Sequence, residues 1–289
     1  MLTALLGLCT AITYGAADFF AAIASRKIRV VVVTALASVT GLIVLLALTP
    51  VLGAKFSDEA FFWGLMGGFS SVVALLALYA SLALGPISIV SPLGALMSAI
   101  VPAVIGVALL GESFSFIGWI AIAMALIAVV LVGFIPGEHV ELPKPRAIIL
   151  AIIAGTGIGL AVTALARSPH DSGIAPIIVM RTTASVLLGA IVLFGMWRGQ
   201  KASAAENKVP LDRKIWLTVA GAGGLDALAN IFFTLASRTG SLTVTGVLTA
   251  LYPLGTIILA RIVLKEHVAG IQKIGIGMTL GASLLLALA

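Results

Sequence analysis

Three charged residues lie well inside apolar stretches of this chain, and they set the chemistry it could perform: Asp18, Arg181 and Asp226. An ionisable side chain at the centre of a membrane helix costs ~2.5–3.5 kcal/mol on insertion scales, so each is expected to face a partner, the bundle interior or water. Asp226 is followed at helical spacing by Asn230 and Phe233 on the same face. A carboxylate there could hold a substrate amine or a proton that titrates during transport. It could equally be bonded to Ser or Thr of a neighbouring helix, or paired with Arg181, and hold the bundle together. Asp18 follows Tyr14 by four residues, so the two share a face, and its place nearer a helix end favours a solvated mouth or a pairing with Arg26 over binding. Arg181 could grip a substrate carboxylate through both forks of its guanidinium, or it could snorkel or lock helices. A zwitterion such as an amino acid would find complementary charges in Arg181 and Asp226. Tyr79, Ser91 and Tyr252, with Ser98, Thr163 and Thr249, offer neutral hydrogen-bonding groups, although most such residues in membrane helices bond their own backbone. Met97 and Met180 could join Phe233 in an apolar wall or simply pack.

The elements that must position these groups are membrane helices. With 61% hydrophobic and 10% charged residues among 289, and a mean hydropathy of +1.23, the chain lacks the polar surface a water-soluble protein of this size requires. Lipid is therefore its expected partner. The net charge of +6 resides in short clusters between apolar runs, a topology signal rather than a nucleic-acid footprint. Cys9 is the single cysteine, which leaves no disulfide within the chain. No Walker-type lysine loop, no His-Glu-x-x-His run and no clustering of His139, His170 and His267 is present, so no cofactor or metal is expected.

A span needs ~20 mostly apolar helical residues, because only a helix or closed barrel satisfies its own backbone in hydrocarbon. Ten runs qualify: 2–24, 30–50, 60–83, 87–110, 115–135, 147–166, 174–196, 215–236, 241–263 and 269–288. They are continuously apolar rather than alternating, which disfavours a β-barrel. The first resembles a cleavable signal near Ala22, Ile23 and Ala24, but it lacks a basic start, is too long and carries Asp18, so it is expected to be retained.

The ends of the two halves repeat. Residues 111–132 and 265–286 align without a gap and share Glu112/Glu266, Ile117/Ile271, Ile120/Ile274, Ile122/Ile276, Met124/Met278, Leu126/Leu280, Ala128/Ala282 and Leu131/Leu285. Gly15, Ala17 and Ala22 match Gly159, Ala161 and Ala166 in the same way. A duplication is the simplest account. The fold class is thus an all-α integral membrane protein, with ten transmembrane helices as two inverted five-helix repeats, 1–136 and 147–289. Five is odd, so the second copy enters the membrane from the opposite side, an arrangement common in transporters whose substrate site lies where the repeats meet. Glu112 and Glu266 fall at helix ends, where capping of the following helix or fixing of the turn is expected rather than substrate contact. Gly275, Gly277 and Gly281 give the last span small-residue spacing for close packing, within the chain or in a homodimer.

Orientation follows from the cations. The loops and helix ends on one side hold Arg26, Lys27, Arg29, Lys144, Arg146, Arg198, Lys201, Lys208, Arg213, Lys214, Arg261, Lys265 and Lys273, whereas the other side has Lys55, Arg167 and Arg238. The positive-inside rule would place both termini outside the cytoplasm.

Several short motifs then acquire a common meaning. The second half carries Gly240, then Tyr252 and Pro253, then Leu264, Lys265 and Glu266, then Gly275; the first carries Gly85 and Pro86, then Leu110, Gly111 and Glu112. With Tyr14 and Gly15 in the opening helix and Arg181 in the seventh span, both halves resemble the EamA-type module of the drug/metabolite transporter superfamily. The first copy departs at Ala99, where the module has its proline; the nearest helix proline is Pro102. The resemblance implies ten helices in two inverted repeats, a cavity lined by spans 1–4 and 6–9, spans 5 and 10 at the periphery, and termini in the cytoplasm, against the charge count. It also favours export of amino acids or related compounds across the cell membrane, an inner membrane if the source is bacterial; with the inverted repeats, the expectation is a secondary transporter working by alternating access, driven by the substrate gradient or by protons, with Asp226 the leading candidate for a coupling site. An intramembrane or lipid-handling enzyme would need paired carboxylates or a His cluster at one interface, whereas the charges here are scattered; a passive channel would lack saturable exchange.

Overall fold

The computed structural model describes residues 1–25, 27–84, 87–133, 144–197, 212–263 and 270–288. They form helices α1 (Leu2–Ser25), α2 (Val30–Leu52), α3 (Asp58–Leu84), α4 (Ile87–Leu109), α5 (Phe116–Gly133), α6 (Pro145–Arg167), α7 (Ala175–Trp197), α8 (Arg213–Thr239), α9 (Leu242–Thr249), α10 (Pro253–Val263) and α11 (Gly270–Leu288), with a 3₁₀ turn at His170–Ser172. Helices α1, α2, α3, α6, α7 and α8 are long and apolar enough to cross a bilayer, and shorter apolar stretches lie in α4, α5, α9 with α10, and α11. Large side chains such as Ile43, Phe61, Phe69, Leu193, Leu217 and Leu280 are exposed on the outer faces, as lipid requires and water would not tolerate.

The ninth expected span, 241–263, is not one helix. Pro253 has no N–H to give and its ring would strike the carbonyl of the preceding turn, so the α-ladder stops at Thr249. Tighter bonds bridge the joint: Leu251 N–H to the Leu248 carbonyl at 3.2 Å, Tyr252 N–H to Thr249 at 3.0 Å and Leu254 N–H to Leu251 at 2.9 Å. The backbone stays satisfied while the axis breaks.

Packing joins the two halves of the chain rather than separating them. α1 lies along α8 and against the α9–α10 pair, just as α6 lies along α3 and against α4; α2 packs on α7 and α8 as α7 packs on α2 and α3; α5 and α11 pair with each other. Exchanging each first-half helix for its second-half counterpart leaves these neighbours unchanged. The matched glycines play matched parts. A Cβ on Gly15 would lie 2.6 Å from the Gly255 Cα at the broken helix, and one on Gly159 would lie 2.7 Å from the Val101 Cβ beside Pro102. Such close crossings exclude any larger residue.

At one end of the bundle the loops clasp one another. Ala54 and Gly173 form an isolated antiparallel bridge, Lys55 N–H donates to the Ser172 carbonyl at 3.1 Å, and Ile174 N–H donates to Gly53 at 3.0 Å. Gly53 and Gly173 both take positive φ, 72° and 57°, and a Cβ on Gly173 would overlap the Gly53 carbonyl. The Arg238 guanidinium donates to the Pro169 and Gly173 carbonyls at 3.2 and 3.0 Å, and the Thr3 and Thr239 hydroxyls meet at 3.3 Å. The start of α1 therefore sits at the end of the bundle where α6 and α8 finish.

Glu112 belongs to this closed end, and here the expectation from sequence needs correction. It caps a helix, but of the other half. Its carboxylate accepts from the Leu242 N–H at 2.6 Å, the Thr243 N–H at 3.0 Å and the Ser241 hydroxyl at 2.7 Å, closing the N-terminus of α9. Gly111, at φ 69°, turns the chain back, and Gly106 leaves the room: a Cβ there would sit 3.0 Å from the Glu112 carboxyl carbon. An anion against free N–H groups is the arrangement a helix N-terminus favours. Glu266 lies outside the described residues.

Two outcomes are expected. Glu112→Ala should lower unfolding stability in detergent by about 1.5–3 kcal/mol, with Glu112→Gln losing less because its amide oxygen still accepts; equal loss in both would remove the charge from the account. At the exposed Lys55–Asp171 pair, the shared hydrogen bond and opposite charge hold Asp171 below the usual carboxylate range and push Lys55 above its own. Asp171 contributes above the unfolded value of 3.8 and Lys55 below 10.5, so the pair persists between them and is lost only toward the extremes. Salt screens such a surface pair, so Lys55→Ala should leave thermal stability unchanged in high salt.

Candidate functional site

A cavity of about 270 Å³ lies between the two halves, from the middle of the bundle toward the end opposite the clasp. Its size is just under the ~300–1,000 Å³ of typical ligand pockets, which suits a small solute. Helices α1 to α4 and α6 to α9 line it, together with Tyr252 at the joint. Small residues recur around the wall: Ala17 and Ala21 of α1, Ala37 of α2, Ala74 of α3, Ala161 of α6, Ala184 of α7 and Ala222 of α8. Bulkier side chains at those positions would fill the space, and the apolar Leu75, Leu78, Met180 and Leu188 give it a dry lining.

All three intramembrane charges reach this cavity. Arg181 of α7 and Asp226 of α8 form an ion pair, with side chains 12% and 26% exposed. The pairing with Arg181 is one of the arrangements open to Asp226 from sequence, and both residues still line the cavity. A helical carboxylate and a helical guanidinium each leave an uncompensated charge in a low-dielectric interior, and together they cancel it. Behind the pair, the Asn230 amide donates to the Asp226 backbone carbonyl at 2.7 Å, and its oxygen accepts from the Tyr14 hydroxyl at 2.8 Å. Asn230 is fully buried and holds α1 to α8 rather than facing the cavity. Phe233 is likewise fully buried, in the core cluster with Leu165, Ile177 and Leu242.

Asp18 differs from Asp226. It projects from α1 into the cavity, exposed to that space, and among the described residues its carboxylate has no hydrogen-bond or ion-pair partner. Arg26, the partner considered from sequence, lies outside the described residues. Tyr14, one turn earlier on α1, and Tyr252 border the same space. The side chains of Tyr79 and Ser91 lie outside the description. Ser98 lines the cavity but donates to the Ala95 carbonyl at 2.8 Å, and Thr163 is turned onto the Gly159 carbonyl at 2.7 Å, as back-bonding hydroxyls do. Thr249 alone of these expected hydroxyls both lines the cavity and leaves its Oγ1 buried with no partner among the described residues. It is the last residue of α9, so the break in the ninth span presents it there.

Three polar residues in the wall were not foreseen: Thr34, Ser38 and Ser71. Each sits in an uninterrupted apolar run with no charge or spacing to mark it, and only the crossing of α2 and α3 with α7 and α8 turns it inward.

The model of the EamA-like transporter family matches residues 1–134 and again 145–288. Among curated proteins none matches the chain in sequence. Of solved structures, 28 chains match; one, described only as the crystal structure of a protein, superposes with a TM-score of 0.78 at 18% identity, covering 99% of this chain and 96% of its own. At that identity the likeness speaks for the fold alone.

The ion pair yields a test. Arg181→Met should destabilise the protein by up to about 3–5 kcal/mol, because it strands the Asp226 carboxylate, and adding Asp226→Leu should restore most of the loss. A double mutant no better than the single one, in denaturant titrations of the detergent-solubilised protein, would contradict the pairing as the source of that cost.

Proposed function

From a chain that belongs to the EamA-like transporter family, and so is a multi-pass membrane transporter of the drug/metabolite superfamily, we propose a proton-coupled exporter of amino acids or related small metabolites in the cell membrane. Ten helices cross the bilayer as two inverted units of five, and alternating access arises as one unit rocks against the other around the cavity. The observation that carries this reading is the cavity itself. It lies where both halves meet, at the break between α9 and α10, with ionisable residues in its wall. Broken helices at mid-depth are where transporters of inverted-repeat design hold their cargo.

One conformation of such a cycle fits the arrangement. The loops around Gly53 and Gly173 and the Glu112 contact close one end, while the cavity extends toward the end that bears Lys27, Arg29, Lys144, Arg146, Arg213 and Lys214. The positive-inside rule assigns that end to the cytoplasm, from which an exporter loads. Coupling belongs to Asp18 rather than to Asp226, because Arg181 already neutralises Asp226.

Reconstitution into vesicles tests the reading. The protein should catalyse saturable exchange of labelled substrate and net flux driven by a pH gradient, and Asp18→Asn should abolish the gradient-driven component. Flux that rises linearly with concentration would replace the transporter with a channel; gradient-driven flux unchanged in Asp18→Asn would remove Asp18 from coupling. A cysteine introduced at Lys144 should react with an impermeant reagent only from the cytoplasmic face, and one at Lys55 only from the other.

A further inference from the structure

The charges of the cavity do not balance, and the imbalance specifies the cargo. Arg181 and Asp226 neutralise one another, so Asp18, once it has given up its proton, is a surplus negative charge within the membrane-embedded wall. A lone charge at that depth is costly, so the loaded state favours an occupant that brings a single positive charge. Two further features carry the same sign. The C-terminal end of α9, with the negative end of its dipole, contributes Thr249 and Ala250 to the wall. The first turn of α10, whose positive end would oppose it, is turned away: the Thr256 hydroxyl donates to the Gly15 carbonyl at 3.0 Å, and residues 253–256 do not line the cavity. Thr249 Oγ1, buried and unpartnered among the described residues, is an acceptor already in place for an N–H.

We propose that the cavity binds a small monocationic amine, its ammonium held between the Asp18 carboxylate and the Thr249 hydroxyl, and that it discriminates against cargo carrying a free carboxylate. Among the described residues of the wall Arg181 is the only cation, and its guanidinium faces Asp226 rather than a substrate carboxylate. Tyr14 and Tyr252 supply aromatic surface beside the site, and Leu75, Leu78 and Met180 accept an apolar tail. This inference rests on the transporter reading and, of the amino acids or related metabolites named there, keeps only the related amines that lack the acid group or have it masked as an amide or ester.

Binding to the full-length protein in lipid nanodiscs decides it, with three probes of one carbon skeleton: isopentylamine, leucine and 4-methylpentanoate. Calorimetric titration at neutral pH should show the amine binding at least about tenfold more tightly than leucine, with no binding of the carboxylate. Asp18→Asn should weaken the amine by about tenfold or more, Asp18→Glu should recover part of it, and Thr249→Val should cost about threefold to tenfold, a hydroxyl's share of one hydrogen bond. Leucine or 4-methylpentanoate binding as tightly as the amine, amine affinity indifferent to Asp18→Asn, or no amine binding overturns the inference. Saturable exchange of leucine by vesicles that exclude isopentylamine would overturn it while leaving transport intact; absence of any saturable exchange would remove transport as well.

Discussion

Every polar group placed in hydrocarbon must find its partner within the chain, and most of this structure follows from that constraint. Helices answer it for the backbone. Where Pro253 interrupts the ladder, shorter turns at Leu251, Tyr252 and Leu254 take up the N–H groups, so the axis can break without leaving donors bare. Where α9 begins inside the protein, Glu112 and Ser241 supply the acceptors that its first turn lacks. Hydroxyls along the helices, such as Thr10, Thr163 and Thr182, fold back on carbonyls one turn earlier. Arg181 and Asp226 resolve the same demand for full charges. The Oγ atoms of Ser185, Thr234 and Thr249 are buried without a partner among the described residues, and of these three residues Thr249 lines the cavity that the open carboxylate of Asp18 also borders.

The second organising fact is that the halves are held by each other. α1 is seated on α8 and the broken helix, α6 on α3 and α4, and neither half keeps its principal neighbours to itself. Lipid offers no hydrophobic drive to press helices together, so close contact depends on small residues that let backbones approach. Gly15 against Gly255, Gly41 against the Gly223 carbonyl and Gly64 against the Val179 Cβ are such approaches, all between halves. Contacts of this kind are easily re-made in a related geometry, which is what rocking one unit against the other would demand. The clasp at one end, with its exposed Lys55–Asp171 pair, contrasts with them: it is polar, solvated and breakable.

What the sequence could reveal was whatever leaves a local mark. Apolar runs of the right length located the helices, because bilayer thickness sets that length for every span alike. The repeated block ending each half exposed the duplication, and Asp18, Arg181 and Asp226 announced themselves as charges in the wrong solvent. Local marks failed wherever the answer lay with another helix. Glu112 was legible as a cap, but its client, α9, lies 130 residues further along the chain. Asn230 and Phe233 share a helical face with Asp226, yet one bonds to Tyr14 and the other lies in the core, because α8 is enclosed by α1 and α2 rather than open to the cavity along its whole face.

The sequence by itself therefore determined the solvent, the number of apolar segments, the duplicated plan and the identity of the buried charges, since each depends on composition or period along a short stretch. Tertiary structure alone decided which charge is cancelled and which is left free. Coulomb energy in a low-dielectric interior depends on separations of a few ångströms, and those are fixed by how α1, α7 and α8 cross, a property no single helix carries.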